Sequence, residues 1–189
     1  MTIYCYDTEF LEDGKTIELI SIGIVCEDGR EYYAVNSDMP VERIKKDDWL
    51  CQNVIPHLPL TNDKRPYRSD AGSRWMFSLN MQSTVVKPKW VIANEVREFL
   101  TADGAPELWA YYAAYDHVAL AQLWGPMIHL PNGIPMYTHD LKQEIDRLGI
   151  SVGAVHAPEN AHDALEDAQW NWRMLSKIRW QELQERRDA

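Results

Sequence analysis

Residues 4–10 read Tyr-Cys-Tyr-Asp-Thr-Glu-Phe, an apolar run that ends in two acids. Side chains alternate faces along a β-strand, so Ile3, Cys5, Asp7 and Glu9 share one face. Two like charges at the end of an apolar strand are costly unless something neutralises them. A divalent cation is one such neutraliser. The competing reading of an Asp-x-Glu pair is that the acids merely open a solvated loop, and the rest of the chain has to decide.

The segments that follow build a sheet around this strand. Asp13-Gly14 reads as a turn. Residues 17–26 (Ile-Glu-Leu-Ile-Ser-Ile-Gly-Ile-Val-Cys) are apolar and rich in β-branched residues, as a buried strand requires. Asp28-Gly29 is a hairpin signal, and residues 30–36 return as a third strand. The first third is thus an antiparallel meander. Residues 107–114 (Glu-Leu-Trp-Ala-Tyr-Tyr-Ala-Ala) are apolar on both faces, the signature of a central strand covered by helices. Residues 136–139 are expected as a short fifth strand.

Helices are expected at 40–53, with Val41, Ile44, Trp49 and Leu50 as buried positions, and from Pro88 to Asp103-Gly104. Val91, Ile92, Val96, Phe99 and Leu100 form the stripe of the second. Further helices are expected at 118–124, at 140–148 up to Gly149, and through Trp170, Trp172, Leu175 and Ile178. Prolines at 56, 59, 66 and 88 punctuate the stretch 56–88, where no period is clear. Between Thr61 and Lys89 lie Lys64, Arg65, Arg68, Arg74, Lys87 and Lys89 against Asp63 and Asp70. This basic excess reads either as a solvated loop or as a flap contacting phosphates, with Tyr67 or Trp75 free to stack on a base.

Composition narrows the class. The 189 residues suit one domain spanning 1–189, with a basic loop or insertion at about 56–88. Hydrophobic residues make up 46%, enough for a sizeable core. No apolar run reaches the ~20 residues of a membrane span, so no membrane is expected. Cys5, Cys26 and Cys51 are odd in number and lack metal-ligand spacing, pointing to a reducing cytoplasm. A net charge of −10 argues against broad electrostatic binding to duplex nucleic acid. It leaves room for a local site in which metal ions supply the positive charge.

Two further acids and a histidine follow. Asp116 sits at a strand-to-helix connection, where open α/β sheets bind ligands; helix capping is its competing role. Residues 162–168 read His-Asp-Ala-Leu-Glu-Asp-Ala. His162 and Asp167, five residues apart, lie ~140° apart around an ideal helix. They converge only if His162 precedes the helix and Asp167 projects from its second turn.

At this point the chain resembles the DEDD exonucleases. Asp7-Thr8-Glu9 is similar to their first motif, Tyr115-Asp116 to the second, and His162-x-Ala-x-x-Asp167 to the third, in the form that defines the DEDDh branch. The resemblance implies an α/β fold of the ribonuclease H-like kind, a mixed five-stranded sheet flanked by helices. It implies Asp7, Glu9, Asp116, His162 and Asp167 as catalytic residues. Asp7, Glu9, Asp116 and Asp167 would ligate two Mg2+ ions, for which Mn2+ is a substitute, and His162 would be the general base. Two positions depart from the pattern: Phe10 stands where many members have threonine, and Tyr112 where a polar residue is usual. Residues 6–23, 27–35 and 114–126 are similar to the actinobacterial exoribonuclease AS family. That likeness implies a homodimeric 3′-to-5′ exoribonuclease that prefers adenylate-rich 3′ ends of single-stranded RNA and releases 5′-AMP. A single-stranded DNA exonuclease or proofreading module, and a non-catalytic nucleic-acid-binding domain, are the alternatives.

Overall fold

The computed structural model describes residues 1–61, 65–68 and 74–188. The meander forms as expected, from β1 (Thr2–Glu12), β2 (Ile17–Cys26) and β3 (Glu31–Asn36), antiparallel throughout. Pro40 and Asp47 start two short helices, α1 (Val41–Ile44) and α2 (Asp48–Asn53), where one helix was expected. The break arises because the Asp47 side chain accepts from the Leu50 backbone N–H, capping a new helix. After β4 (Tyr67–Arg68), β5 (Trp75–Met76) and β6 (Val86–Lys87) come α3 (Lys89–Thr101), β7 (Pro106–Ala110) and α4 (Ala114–Ala121). The chain closes with β8 (His139–Asp140), α5 (Leu141–Leu148) and α6 (Ala164–Asp188).

The main sheet runs β6-β3-β2-β1-β7-β8, with β7 parallel to β1 and β8 parallel to β7. This is the mixed sheet flanked by helices of a ribonuclease H-like α/β fold. It has six strands rather than five, because the two-residue β6 adds in parallel to the edge of β3. The small β4–β5 ribbon stands apart from it.

Alternation along β1 sorts the core. Tyr4 and Tyr6 face Ile92, Val96 and Leu100 of α3 and Ala119 and Leu120 of α4. Ile3 and Cys5 face Leu141 and Ile145 of α5 and Met174, Leu175 and Ile178 of α6. Burying each such aliphatic side chain contributes roughly 1.5–3 kcal/mol. Asp7 and Glu9, two and four positions beyond Cys5, continue toward the α6 side. β1 therefore stops being core and becomes site without changing face.

The 56–88 stretch is only partly a surface loop. Leu58, Leu60 and Phe77 are buried with Leu50, Cys51 and Val54 of the α2 region in a third cluster. These apolar residues are too sparse to make a period, so the pattern does not announce them. Lys64, Asp63 and Asp70 lie outside the described residues. Arg68 is paired with Asp48, Arg74 with Glu42 and Lys87 with Glu95. Three of the basic groups are thus already spent on acids of α1, α2 and α3.

Candidate active site

The site is assembled where β1, α4 and the start of α6 meet. α6 approaches the sheet over Gly23, the cross-strand partner of Asp7. A Cβ on Gly23 would lie 2.3 Å from the Ala164 carbonyl oxygen and 2.5 Å from the Leu165 Cα. Only glycine permits the helix to start so close to the strand. Deeper along α6, the buried Asn171 side-chain amide donates to the Tyr6 carbonyl at 2.9 Å. The first turns of α6 are thereby pinned beside Asp7.

The His-x-Ala-x-x-Asp segment enters α6 through a folded turn. Asp163 accepts from the Leu165 and Glu166 N–H groups at 3.0 and 3.3 Å, capping the helix. Glu166 reaches back to the backbone N–H of Asn160 at 2.9 Å. His162 then takes φ = 72°, the left-handed region that a non-glycine residue rarely occupies. This bend lets the His162 N–H donate to Asp167 Oδ2 at 2.8 Å. The histidine precedes the helix and the aspartate projects from it, the only arrangement in which the two converge.

Asp116 arrives by a different route. The strand expected over 107–114 ends at Ala110, and Tyr112 adopts φ = 56°. The cause lies on a neighbouring strand: Asp140 accepts the Ala113 N–H at 3.0 Å while capping α5 through Lys142 at 2.8 Å. The chain turns early, and Asp116 falls in the first turn of α4, buried. Its carboxylate caps nothing in α4. Instead Oδ1 accepts from the Thr8 N–H at 2.8 Å and the Thr8 Oγ1 at 2.7 Å.

One pocket of about 380 Å³ is lined by all five expected residues, Asp7, Glu9, Asp116, His162 and Asp167. Side-chain ligand atoms of Glu9, His162 and Asp167 lie within 4.8 Å of one another. The acids are far from their ordinary ionisation. Burial, with the charges of Asp116, Glu9 and Asp167, pushes Asp7 well above the usual carboxylate range. Burial and the neighbouring Asp167 and Asp116 push Glu9 up to about 8. Burial raises Asp116 to about 6, against the lowering effect of the two Thr8 hydrogen bonds. Asp167 is also raised by burial, and the His162 N–H opposes this. Among the described residues, no lysine or arginine lines the pocket to offset these charges. Four carboxylates with oxygen donors and no organic counter-ion suit a hard divalent cation.

Several lining residues carry no motif. Trp49, expected in the core, is 52% exposed, and its ring meets the His162 imidazole edge-to-face at 4.7 Å. Phe10 stacks on Tyr115, with ring centroids 5.9 Å apart. Asp140, which sets the turn before Asp116, carries no sequence signal, and Thr8, which holds the Asp116 carboxylate, enters the first motif without a role of its own. Thr8 sits between two motif acids and so was the more discoverable; a contact 27 residues away in sequence leaves no local trace for Asp140.

The model of the 3'-5' exoribonuclease Rv2179c-like domain matches residues 2–179. The 3'-5' exoribonuclease Rv2179c of Mycobacterium tuberculosis (strain ATCC 25618 / H37Rv) is 44% identical over 168 residues, covering 88% of this chain and 86% of the relative. The 3'-5' exoribonuclease MT2234.1 of M. tuberculosis (strain CDC 1551 / Oshkosh) matches to the same extent. The match spans the meander, the Asp116 turn and the α6 motif together, and with it the chain belongs to the Rv2179c-like 3'-5' exoribonuclease domain family.

Proposed function

We propose that the protein is a metal-dependent 3′-to-5′ exoribonuclease of the DEDDh type, which shortens single-stranded RNA, prefers adenylate at the 3′ end and releases 5′-AMP. The observation that carries this reading is the convergence of Asp7, Glu9, Asp116, His162 and Asp167 on one pocket, in a chain of this family. Asp7, Glu9, Asp116 and Asp167 would hold two Mg2+ ions, with Mn2+ able to replace them. Bound there, the cations neutralise the acids, activate water and stabilise the charge that develops on the phosphodiester.

The chain's own residues do the rest. Thr8 holds Asp116 in place through two hydrogen bonds. His162 accepts the proton of the attacking water on a ring nitrogen. Phe10 and Tyr115 offer an aromatic wall on which a base stacks whatever its identity. Support for adenylate in particular comes from the likeness of residues 6–23 and 114–126 to exoribonuclease AS. The same reading has the enzyme act in a reducing cytoplasm, in keeping with three free, buried cysteines. It also has the enzyme act as a homodimer, and exposed Met127, Ile128, Met136 and Tyr137 offer apolar surface for a second copy.

The deciding experiment digests 5′-labelled RNAs that differ only in the 3′ nucleotide, with Mg2+ and with EDTA, beside matched DNA strands. Stepwise shortening from the 3′ end, fastest for adenylate, lost in EDTA and absent on DNA, is the expected result. Equal digestion of DNA would favour a single-stranded DNA exonuclease. Binding without cleavage would favour a non-catalytic nucleic-acid-binding domain.

A further inference from the structure

His162 is an unusual group to leave loosely held. A general base needs its ring nitrogen within hydrogen-bond reach of one particular proton, and an error of about 1 Å costs up to ~10²-fold. Histidines used in this way are commonly oriented by a hydrogen bond to the second ring nitrogen. His162 is anchored instead through its backbone, by the 2.8 Å bond to Asp167. Among the described residues no hydrogen bond to its ring is found. Its φ of 72° confines the main chain but leaves rotation about the side-chain bonds to be settled by contact. A ring nitrogen lies within 4.8 Å of carboxylate oxygens of Glu9 and Asp167 without hydrogen-bonding them, and the ring itself packs edge-to-face against Trp49, with ring centroids at 4.7 Å and an interplanar angle of 74°.

Trp49 is itself held from the far side. It follows Asp48, whose Oδ1 accepts from the Trp75 indole N–H at 2.8 Å and pairs with Arg68. Arg68 in turn lies over the Trp75 ring at 5.2 Å. The β4–β5 ribbon of the 56–88 stretch thus clasps the first turn of α2, and Trp49 projects from that turn to the pocket.

We propose that Trp49 is a positioning residue that holds the His162 imidazole toward the reacting water, with the β4–β5 ribbon bracing the helix that carries it. The proposal rests on the reading of His162 as general base. Trp49 acts through His162, so removing it lowers the rate of the chemical step without weakening RNA binding. A tryptophan that merely stacked on a base would instead act on affinity.

The test uses the full chain with Mg2+ and a 5′-labelled single-stranded RNA. W49A is expected to lower single-turnover kcat by ~10–10²-fold with KM little changed, and W49F to restore most of it. In an H162N background, W49A should cost nothing further, because the group it positions is gone. RNA affinity, measured in that slow background, should be the same with and without Trp49. A readout independent of turnover is the His162 ring-proton resonance, which the Trp49 ring current displaces and W49L should return toward its free value. Full kcat in W49A, a KM effect alone, or an added loss in the H162N background would overturn the proposal. Wild-type protein that cleaves no RNA would overturn the general-base reading on which it rests. The resonance would still report whether Trp49 fixes the ring.

Discussion

At the scale of single residues, the site is an arrangement of charge held against its own repulsion. Asp7 is the extreme case, since burial and four neighbouring acids all disfavour its ionised form. Replacing it with asparagine removes that penalty and, on the proposed function, a metal ligand at once. We therefore expect Asp7→Asn to abolish turnover while raising the melting temperature of the metal-free protein, by ~2–4 °C for each kcal/mol of repulsion relieved. Calorimetry in EDTA beside an RNA digest checks both halves; an inactive variant with a lowered melting temperature would place Asp7 in a structural role. His162 makes the opposite prediction. His162→Asn keeps hydrogen-bonding capacity in the turn but no basic nitrogen, so kcat should drop by ~10²–10⁴-fold with metal affinity near normal. Near-normal kcat at saturating Mg2+ would leave the histidine only its part in the turn.

At the scale of elements, the position of α6 decides whether the third motif reaches the first. The strand and the helix touch through Gly23, where an added methyl meets backbone rather than a flexible side chain. Gly23→Ala must push the α6 start outward or bend β2, at a cost of ~1–3 kcal/mol for overpacking of this kind. His162 and Asp167 move with the helix, so activity should fall by more than the stability loss explains. Thermal melts together with kcat at a temperature where the variant is fully folded separate the two effects. Unchanged activity would mean that the pocket tolerates a shifted α6. α4 depends likewise on Asp140, whose one carboxylate caps α5 and ends β7 early.

At the scale of the whole molecule, the clustered acids make stability depend on pH and on metal together. Glu9 ionises near 4.5 when exposed and at about 8 in the fold, and Asp116 moves from 3.8 to about 6. A folded-state value above the unfolded one means that the protonated form is favoured by folding. The contribution is full below the unfolded value and lost as pH rises through the folded one. In EDTA the melting temperature should therefore decline between about pH 5 and pH 8. In the proposed site Mg2+ would bind the ionised carboxylates, so its stabilising effect should grow over the same interval. A gap between Mg2+ and EDTA curves that did not widen with pH would contradict the proposed metal site. The chain's charge of −10 adds a uniform background that salt screens, whereas the buried acids are screened far less.

Much of this was legible in the linear chain. A β-branched apolar run between two Asp-Gly turns identified the meander, apolarity on both faces identified β7 as a central strand, and stripes identified α3 and the course of α6. These are local signals, because a strand or helix face is written every two to four residues. Asp7 and Glu9 stood out at the end of an apolar strand and Asp116 just after one, whereas His162 and Asp167 were legible only through the spacing of their motif. What only the tertiary structure decided depends on residues far apart in sequence. Asp140 ends β7 three residues short of Ala113, and Asp47 splits the expected helix over 40–53 by offering a cap. Leu58, Leu60 and Phe77 turn part of an unpatterned loop into core, and Arg68 and Arg74 become clasps rather than free cations. Trp49 leaves the core for the pocket because the first turn of α2 lies beside the His162 turn. Local periodicity names the elements, but a contact between distant groups carries no period, and only the packed chain reveals it.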